Sequence, residues 1–258
     1  MGNLIVAKGL RKLFGRFEAV RGIDLVVPAG QVLGFLGPNG AGKSTTMRML
    51  TGFLEPSAGT VELCGIPLAE RPLEAKRTFG YLPEGAPAYL DMRVEEFLRF
   101  VAAARGYHRH EARRRAEAAM DRVNLRPYRR QVVDTLSKGY KRRTGLAQAL
   151  LHDPPILILD EPTDGLDPNQ KHEVRQLLRQ LGSDRAVVLS THILEEVEAV
   201  CTRAVIINEG RLAFDGTPAE LDARAPADLR RNRLDHVFRV LTTADTARAA
   251  ARSKGGAP

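Results

Sequence analysis

Gly37-Pro38-Asn39-Gly40-Ala41-Gly42-Lys43-Ser44 has the residue types and spacing of a phosphate-binding loop. Glycines let a backbone wrap closely around phosphate oxygens with its N–H groups turned inward. A helix starting near Lys43 adds its positive dipole end. Lys43 then reaches the β- and γ-phosphates and Ser44 holds Mg²⁺, with Thr45 next in the same turn. A second segment supplies what such a site still needs. Ile156-Leu157-Ile158-Leu159-Asp160-Glu161 is an apolar run ending in paired carboxylates, and ligand sites in parallel sheets lie at the carboxyl ends of strands. Asp160 is placed to bind Mg²⁺, directly or through water. Glu161 points to the other side and is the candidate general base on an attacking water. The chemistry implied is hydrolysis of a nucleoside triphosphate.

These residues work only if strands and helices deliver them. Val32 to Leu36 reads as a buried strand leading into the loop, and Lys43 to about Leu50 as the helix after it. Leu4 to Val6, Ile23 to Val27 and Thr60 to Cys64 read as short strands, with turns at Pro28-Ala29-Gly30 and Pro56 to Gly59. From about Asp91 to Arg143 Ala, Arg and Glu dominate. Val94 to Arg105 and Glu111 to Val123 read there as amphipathic helices of an insertion. Ile156 to Leu159 and Ala186 to Leu189 read as buried parallel strands separated by a helix over Asn169 to Leu181. Ala204 to Ile207 and Arg211 to Phe214 form a hairpin about Glu209-Gly210. Strands alternating with helices argue for an α/β fold with a doubly wound parallel sheet. No internal repeat is visible, and the Ala/Arg/Gly-rich stretch from Ala244 to Pro258 is expected to fray.

The composition bounds the rest. The chain has 258 residues, 43% of them hydrophobic, enough for a globular core and too many for a disordered chain. No apolar run approaches the roughly 20 residues of a membrane helix, and the apolar part of the N-terminus is too short for a secretion signal. A cytoplasmic location is expected, with a partner needed to reach a membrane. Cys64 and Cys201 cannot form a disulfide framework or a four-cysteine zinc site and read as small buried side chains. The net charge of +8 suits nucleic acid, an anionic membrane face or phosphate ligands, and equally an arginine-rich surface with no role.

Three further features narrow the chemistry. Leu136-Ser137-Lys138-Gly139-Tyr140 precedes the carboxylate strand, Gly165-Leu166-Asp167 follows it, and Ser190-Thr191-His192 ends the next strand. In this order the chain, from Leu4 to about Leu221, resembles the nucleotide-binding subunit of an ATP-binding cassette (ABC) transporter. The resemblance implies a P-loop NTPase parallel-sheet core, an N-terminal antiparallel β subdomain and an inserted α-helical subdomain. Residues 1–222 would be the ATP-binding domain, with its insertion at about 90–143, and 223–258 a short extension.

The resemblance also implies roles. Such subunits bind ATP with Mg²⁺ and dimerise head to tail, with a second copy or a related subunit, around two ATP molecules. They hydrolyse ATP to drive a separate multi-pass membrane permease and sit peripherally on the cytoplasmic face of the membrane. Ser137 and the Gly139 N–H would cap the γ-phosphate held by the opposite subunit. His192 would stand against the γ-phosphate and the attacking water, Asp167 would link the two sites, and Phe14 would stack on adenine. Two positions depart from the family pattern. Lys138 stands where Gly is usual and is expected to put a cation near the γ-phosphate or the partner. Glu84, in Tyr81-Leu82-Pro83-Glu84, stands where Gln is usual and offers a carboxylate to Mg²⁺. The Glu84 loop, the Lys138 variant and the tail Leu234 to Phe238 are similar to exporter subunits. A soluble cassette ATPase acting on nucleic acid or the ribosome is the alternative; it would need a second cassette or a long insertion, and neither is visible. A small-molecule kinase would leave Ser137, Gly139 and His192 unexplained.

Overall fold

A computed structural model describes the backbone of residues 2–254 and the side chains of residues 2–243. The chain opens with β1 (Asn3–Phe14) and β2 (Phe17–Pro28), continues into β3 (Gln31–Leu36), and enters α1 (Lys43–Leu50) through the glycine-rich loop. Then come β4 (Ala58–Leu63), β5 (Ile66–Pro67), α2 (Pro72–Arg77) and β6 (Phe79–Leu82). A helical segment follows, with α3 (Val94–Ala104), α4 (Arg109–Arg122), short 3-10 turns at Arg126–Tyr128 and Val133–Thr135, and α5 (Lys138–Leu150). The remainder is β7 (Ile156–Asp160), α6 (Pro168–Leu181), β8 (Ala186–Ser190), α7 (Leu194–Val200), β9 (Arg203–Asn208), β10 (Arg211–Gly216), α8 (Pro218–Ala223) and α9 (Arg233–Lys254).

Two sheets result, a six-stranded one in the order β10-β9-β3-β8-β7-β6 and a four-stranded one in the order β2-β1-β4-β5. Within the larger sheet β9, β3, β8, β7 and β6 run parallel, and β10 closes the edge as the antiparallel arm of a hairpin. The smaller sheet is antiparallel. The larger sheet is buried on both faces because successive side chains of a strand point to opposite sides. Ile156 and Ile158 of β7, with Leu33 and Phe35 of β3, pack against α1 and the smaller sheet. Leu157 and Leu159, with Leu36, pack against the helical side. Each such fully buried aliphatic side chain contributes roughly 2 kcal/mol, and together they hold the loop ends on the sheet still.

Several expectations change in detail. β1 and β2 are twelve residues each rather than short strands. Register shifts after Ala7 and Leu10 interrupt the alternation that reveals a strand, and Gly9 sits there at φ +57° with its N–H donated to Asp24 Oδ1 at 2.7 Å. β6 escapes pattern reading because it is four residues long and contains Gly80. The helix expected after Leu136 to Tyr140 is α5, which ends at Leu150 with Leu151 as its cap. The stretch expected to fray is helical as far as Lys254, and residues 255–258 lie outside the described ones. α9 is docked, with Leu234 and Val237 in the core and Asn208 Nδ2 donating to the Thr242 carbonyl at 3.1 Å. Both cysteines are free; Cys201 is buried as expected and Cys64 is half-buried. Among the described residues no helix is long and apolar enough to cross a membrane.

Candidate functional site

The loop between β3 and α1 is shaped by crowding. At Gly42 φ is +108°, and a Cβ there would lie 2.7 Å from the Ala19 carbonyl oxygen, so only glycine fits. Lys43 opens α1 and is buried. Its Nζ donates to the carbonyls of Gly37 at 2.6 Å and Pro38 at 3.1 Å. Burial pushes the Lys43 ammonium below its ordinary value, while Glu161, Asp160 and Glu84 pull it back up. Three carboxylates therefore surround one cation.

A cleft of about 480 Å³ opens above this loop. Asn39, Gly40, Gly42, Lys43, Ser44 and Thr45 form its floor, and Glu84, Asp160 and Glu161 line its far wall. Gly37, Pro38 and Ala41 complete the loop behind the floor. Phe14 also lines the cleft and is 49% exposed, so it is not a core residue. Phe17, opposite Phe14 across the turn that joins β1 to β2, lines it too. Only the pairing of β1 with β2 brings Phe17 to the site, which is why sequence reading missed it.

The carboxylates at the end of β7 have different surroundings. Asp160 is buried, and its Oδ1 accepts from Ser190 Oγ of β8. Glu161 has φ +49°, an uncommon backbone region for a residue with a side chain. Its N–H donates to both the carbonyl and Oγ of Ser190 at 3.1 Å. Its Oε1 lies 2.9 Å from Nδ1 of His192, so the histidine is tied to the carboxylate rather than free in solvent. Arg142 of α5, to which the sequence reading gave no role, donates to the carbonyls of Asp160, Glu161 and Pro83.

Behind His192 lies a buried network that no sequence pattern announced. Glu196 of α7 accepts from Thr191 Oγ1 at 2.8 Å and from Thr163 Oγ1, and Arg175 of α6 stands 3.7 Å away. Thr163 follows the carboxylate strand and Thr191 precedes His192, so one carboxylate holds both loops.

Ser137, Gly139 and Asp167 do not line the cleft and form a second cluster. Ser137 caps α5, its Oγ accepting from the Tyr140 N–H at 3.4 Å. Asp167 caps α6, accepting from the Gln170 N–H at 2.9 Å. A Cβ at Gly139 would lie 2.5 Å from Gln170 Oε1 and 3.1 Å from Leu166 Cδ2, so a side chain there would have to displace the Gln170 side chain. Lys138 was expected to present a cation to phosphate or partner. Within its own chain its Nζ pairs with Asp164 Oδ2 at 2.8 Å, and the side chain is largely exposed.

The geometry agrees with what the chain is similar to. A family model described as ABC transporter matches residues 20–164. The Nod factor export ATP-binding protein I of Cupriavidus metallidurans is 37% identical over 222 residues, covering 86% of this chain and 73% of that protein. This chain belongs to the ABC transporter family. The ABC transporter ATP-binding protein NatA of Bacillus subtilis is 37% identical over 77% of this chain and 82% of its own length. A solved structure described as the ATP binding subunit of an ABC transporter superposes with a TM-score of 0.82 at 32% identity, covering 92% of this ABC chain and 99% of that one. An ATP-binding cassette solved as a post-hydrolysis dimer with ADP and Pi shares the fold at a TM-score of 0.77 and 23% identity, over 83% of this chain and 98% of that one. The P-loop NTPase core with its antiparallel sheet is thus the ABC ATPase fold. The chain is an ATP-binding, ATP-hydrolysing subunit of an ABC transporter.

Proposed function

We propose that this ABC subunit powers export through a separate multi-pass membrane permease, as half of a head-to-tail dimer lying peripherally on the cytoplasmic membrane face. The observation that carries the catalytic part is the Glu161 carboxylate, on the wall of the phosphate-loop cleft and bonded to His192. Glu161 takes the proton of the attacking water, and His192 steadies the carboxylate and the γ-phosphate side. Lys43 meets the β- and γ-phosphates, and the backbone N–H groups of Gly37, Asn39, Gly40, Ala41 and Gly42, with the start of α1 at Ser44 and Thr45, cradle them, while Pro38 shapes the loop without an N–H of its own. Phe14 and Phe17 stack on adenine, which gives affinity without reading a base edge.

The hydroxyl of Ser44 and the carboxylates of Asp160 and Glu84 are hard oxygen donors of the kind Mg²⁺ takes together with phosphate oxygens. Bound there, Mg²⁺ would neutralise charge on the phosphates. Ser137 and Gly139, outside the cleft at the start of α5, serve the ATP of the opposite subunit, and Asp167 links the sites.

Residues 1–222 form the ATP-binding domain, and 223–258 an extension that α9 docks onto it. A groove of about 1140 Å³ beside α3 exposes Leu73, Tyr89 and Phe100, with Arg105 and Lys76 at its edge. Its apolar floor and basic rim support a permease contact there. Export is favoured by the Glu84 and Lys138 variants and by relatives named for Nod factor export and linearmycin resistance. Co-expression with the neighbouring genes tests the reading. The tagged chain should retain a multi-pass membrane protein, and Phe100→Asp should release it while ATPase activity persists. Salt-resistant retention of RNA instead of a membrane protein would overturn it.

A further inference from the structure

One buried guanidinium joins three parts of the cleft wall. Arg142 is 5% exposed and lies on α5, the helix that starts at the Ser137 cap. Its Nε donates to the Glu161 carbonyl at 2.9 Å, and its Nη2 to the Asp160 carbonyl at 2.7 Å and again to the Glu161 carbonyl. Its Nη1 donates to the Pro83 carbonyl at 3.2 Å. Buried arginines usually pair with carboxylates, yet every hydrogen bond here goes to a backbone oxygen. Burial pushes the guanidinium below its ordinary value, and Asp164, Asp160, Glu161 and Glu84 oppose that shift.

The backbone at Glu161 explains what this fork does. A side chain at φ +49° persists only where the surroundings over-determine it. Ser190 of β8 grips the Glu161 N–H, and Arg142 of α5 grips its C=O. Held at both ends, the residue sends its carboxylate towards His192. The third bond, to Pro83, ties the residue before Glu84 to the same fork.

We propose that Arg142 is a positioning residue for ATP hydrolysis: it holds the Glu161 carboxylate and the Pro83–Glu84 loop in register with each other and with α5. It acts through Glu161 and touches no substrate, so the proposal rests on Glu161 being the general base. A planar five-donor fork is needed because the three carbonyls lie on two segments, the end of β7 at Asp160 and Glu161 and the Pro83 loop, and a single ammonium cannot span them.

The test compares Arg142→Ala and Arg142→Lys with wild type in the full chain. In Arg142→Ala, kcat should fall about 10- to 100-fold through misplacement of the base, with KM for ATP and affinity for a non-hydrolysable ATP analogue unchanged. Arg142→Lys should fall in between. Millimolar guanidinium should restore part of the Arg142→Ala turnover, methylammonium should not, and neither should raise the wild type. A wild-type kcat overturns the proposal. So does a parallel loss of affinity and kcat in both variants without guanidinium rescue, which marks a merely structural residue. Should Arg142→Ala not fold, the split between kcat and affinity in Arg142→Lys decides. Glu161→Gln, assayed alongside, separates the two readings. Turnover there refutes the base, whereas an inactive Glu161→Gln beside a fully active Arg142→Ala refutes only the role of Arg142.

Discussion

His192 Nδ1 lies 2.9 Å from Glu161 Oε1, and that bond bridges the ends of two adjacent parallel strands, β8 and β7. It orients a carboxylate whose backbone is already fixed by Ser190 and Arg142. Removing the imidazole takes away the hydrogen bond that orients the Glu161 carboxylate. His192→Ala should therefore lower kcat about 10²-fold, the usual worth of a positioned acid–base group, while ATP affinity holds. Steady-state ATPase assays and equilibrium nucleotide binding measure both, and an unchanged kcat would remove His192 from the mechanism.

Glu196 should matter for stability rather than chemistry. Its carboxylate serves two threonine hydroxyls and stands 3.7 Å from Arg175. Glu196→Ala leaves two buried threonine hydroxyls and the part-buried Arg175 without their carboxylate and should cost about 3 kcal/mol. Urea denaturation would show a lower midpoint, with Thr163 and Thr191 loops more open to proteolysis. An unchanged midpoint would mean that water replaces the carboxylate without loss.

Glu84 replaces a neutral amide with a carboxylate in a cleft that already holds Asp160 and Glu161. The added charge binds a divalent cation more strongly and repels the γ-phosphate when the cation is absent. Glu84→Gln should then respond less steeply to Mg²⁺ and need more of it for half-maximal ATPase. Superimposable Mg²⁺ titrations of the two proteins would contradict this.

Acid should weaken the helical side through His152. Burial, with Arg105 and Arg115 adding repulsion, lowers its value from 6.5 to about 4. The folded protein thus keeps His152 neutral while the unfolded chain protonates it below pH 6.5. The stability that this neutral histidine contributes is fully present above pH 6.5 and is lost as pH falls towards 4. Within that window the slope approaches about 1.4 kcal/mol per pH unit. Urea midpoints between pH 7 and pH 5 should fall further in the wild type than in His152→Asn, and parallel losses would show another group to be responsible.

Most of the fold was legible because short-range rules carry it. The apolar runs of β3, β7 and β8 and the boundaries of α1 followed from hydrophobic patterning and the glycine-rich loop. The phosphate loop, Asp160 and Glu161 were legible because their chemistry needs adjacent residues at fixed spacing. Contacts made only by tertiary pairing were not. Phe17 joins the site across a hairpin, nothing local marks Arg142 as the arginine that α5 turns inward, and Glu196 is an ordinary helical glutamate in sequence. Lys138 shows the converse: its charge was legible, but its partner Asp164 was not.

The most direct measurement is the ATPase rate of Glu161→Gln beside its ATP affinity. The amide keeps the backbone held by Arg142 and Ser190 but cannot accept a proton from water. ATP should bind as in the wild type while turnover falls by at least about 10²-fold. Hydrolysis at the wild-type rate would show that Glu161 is not the base.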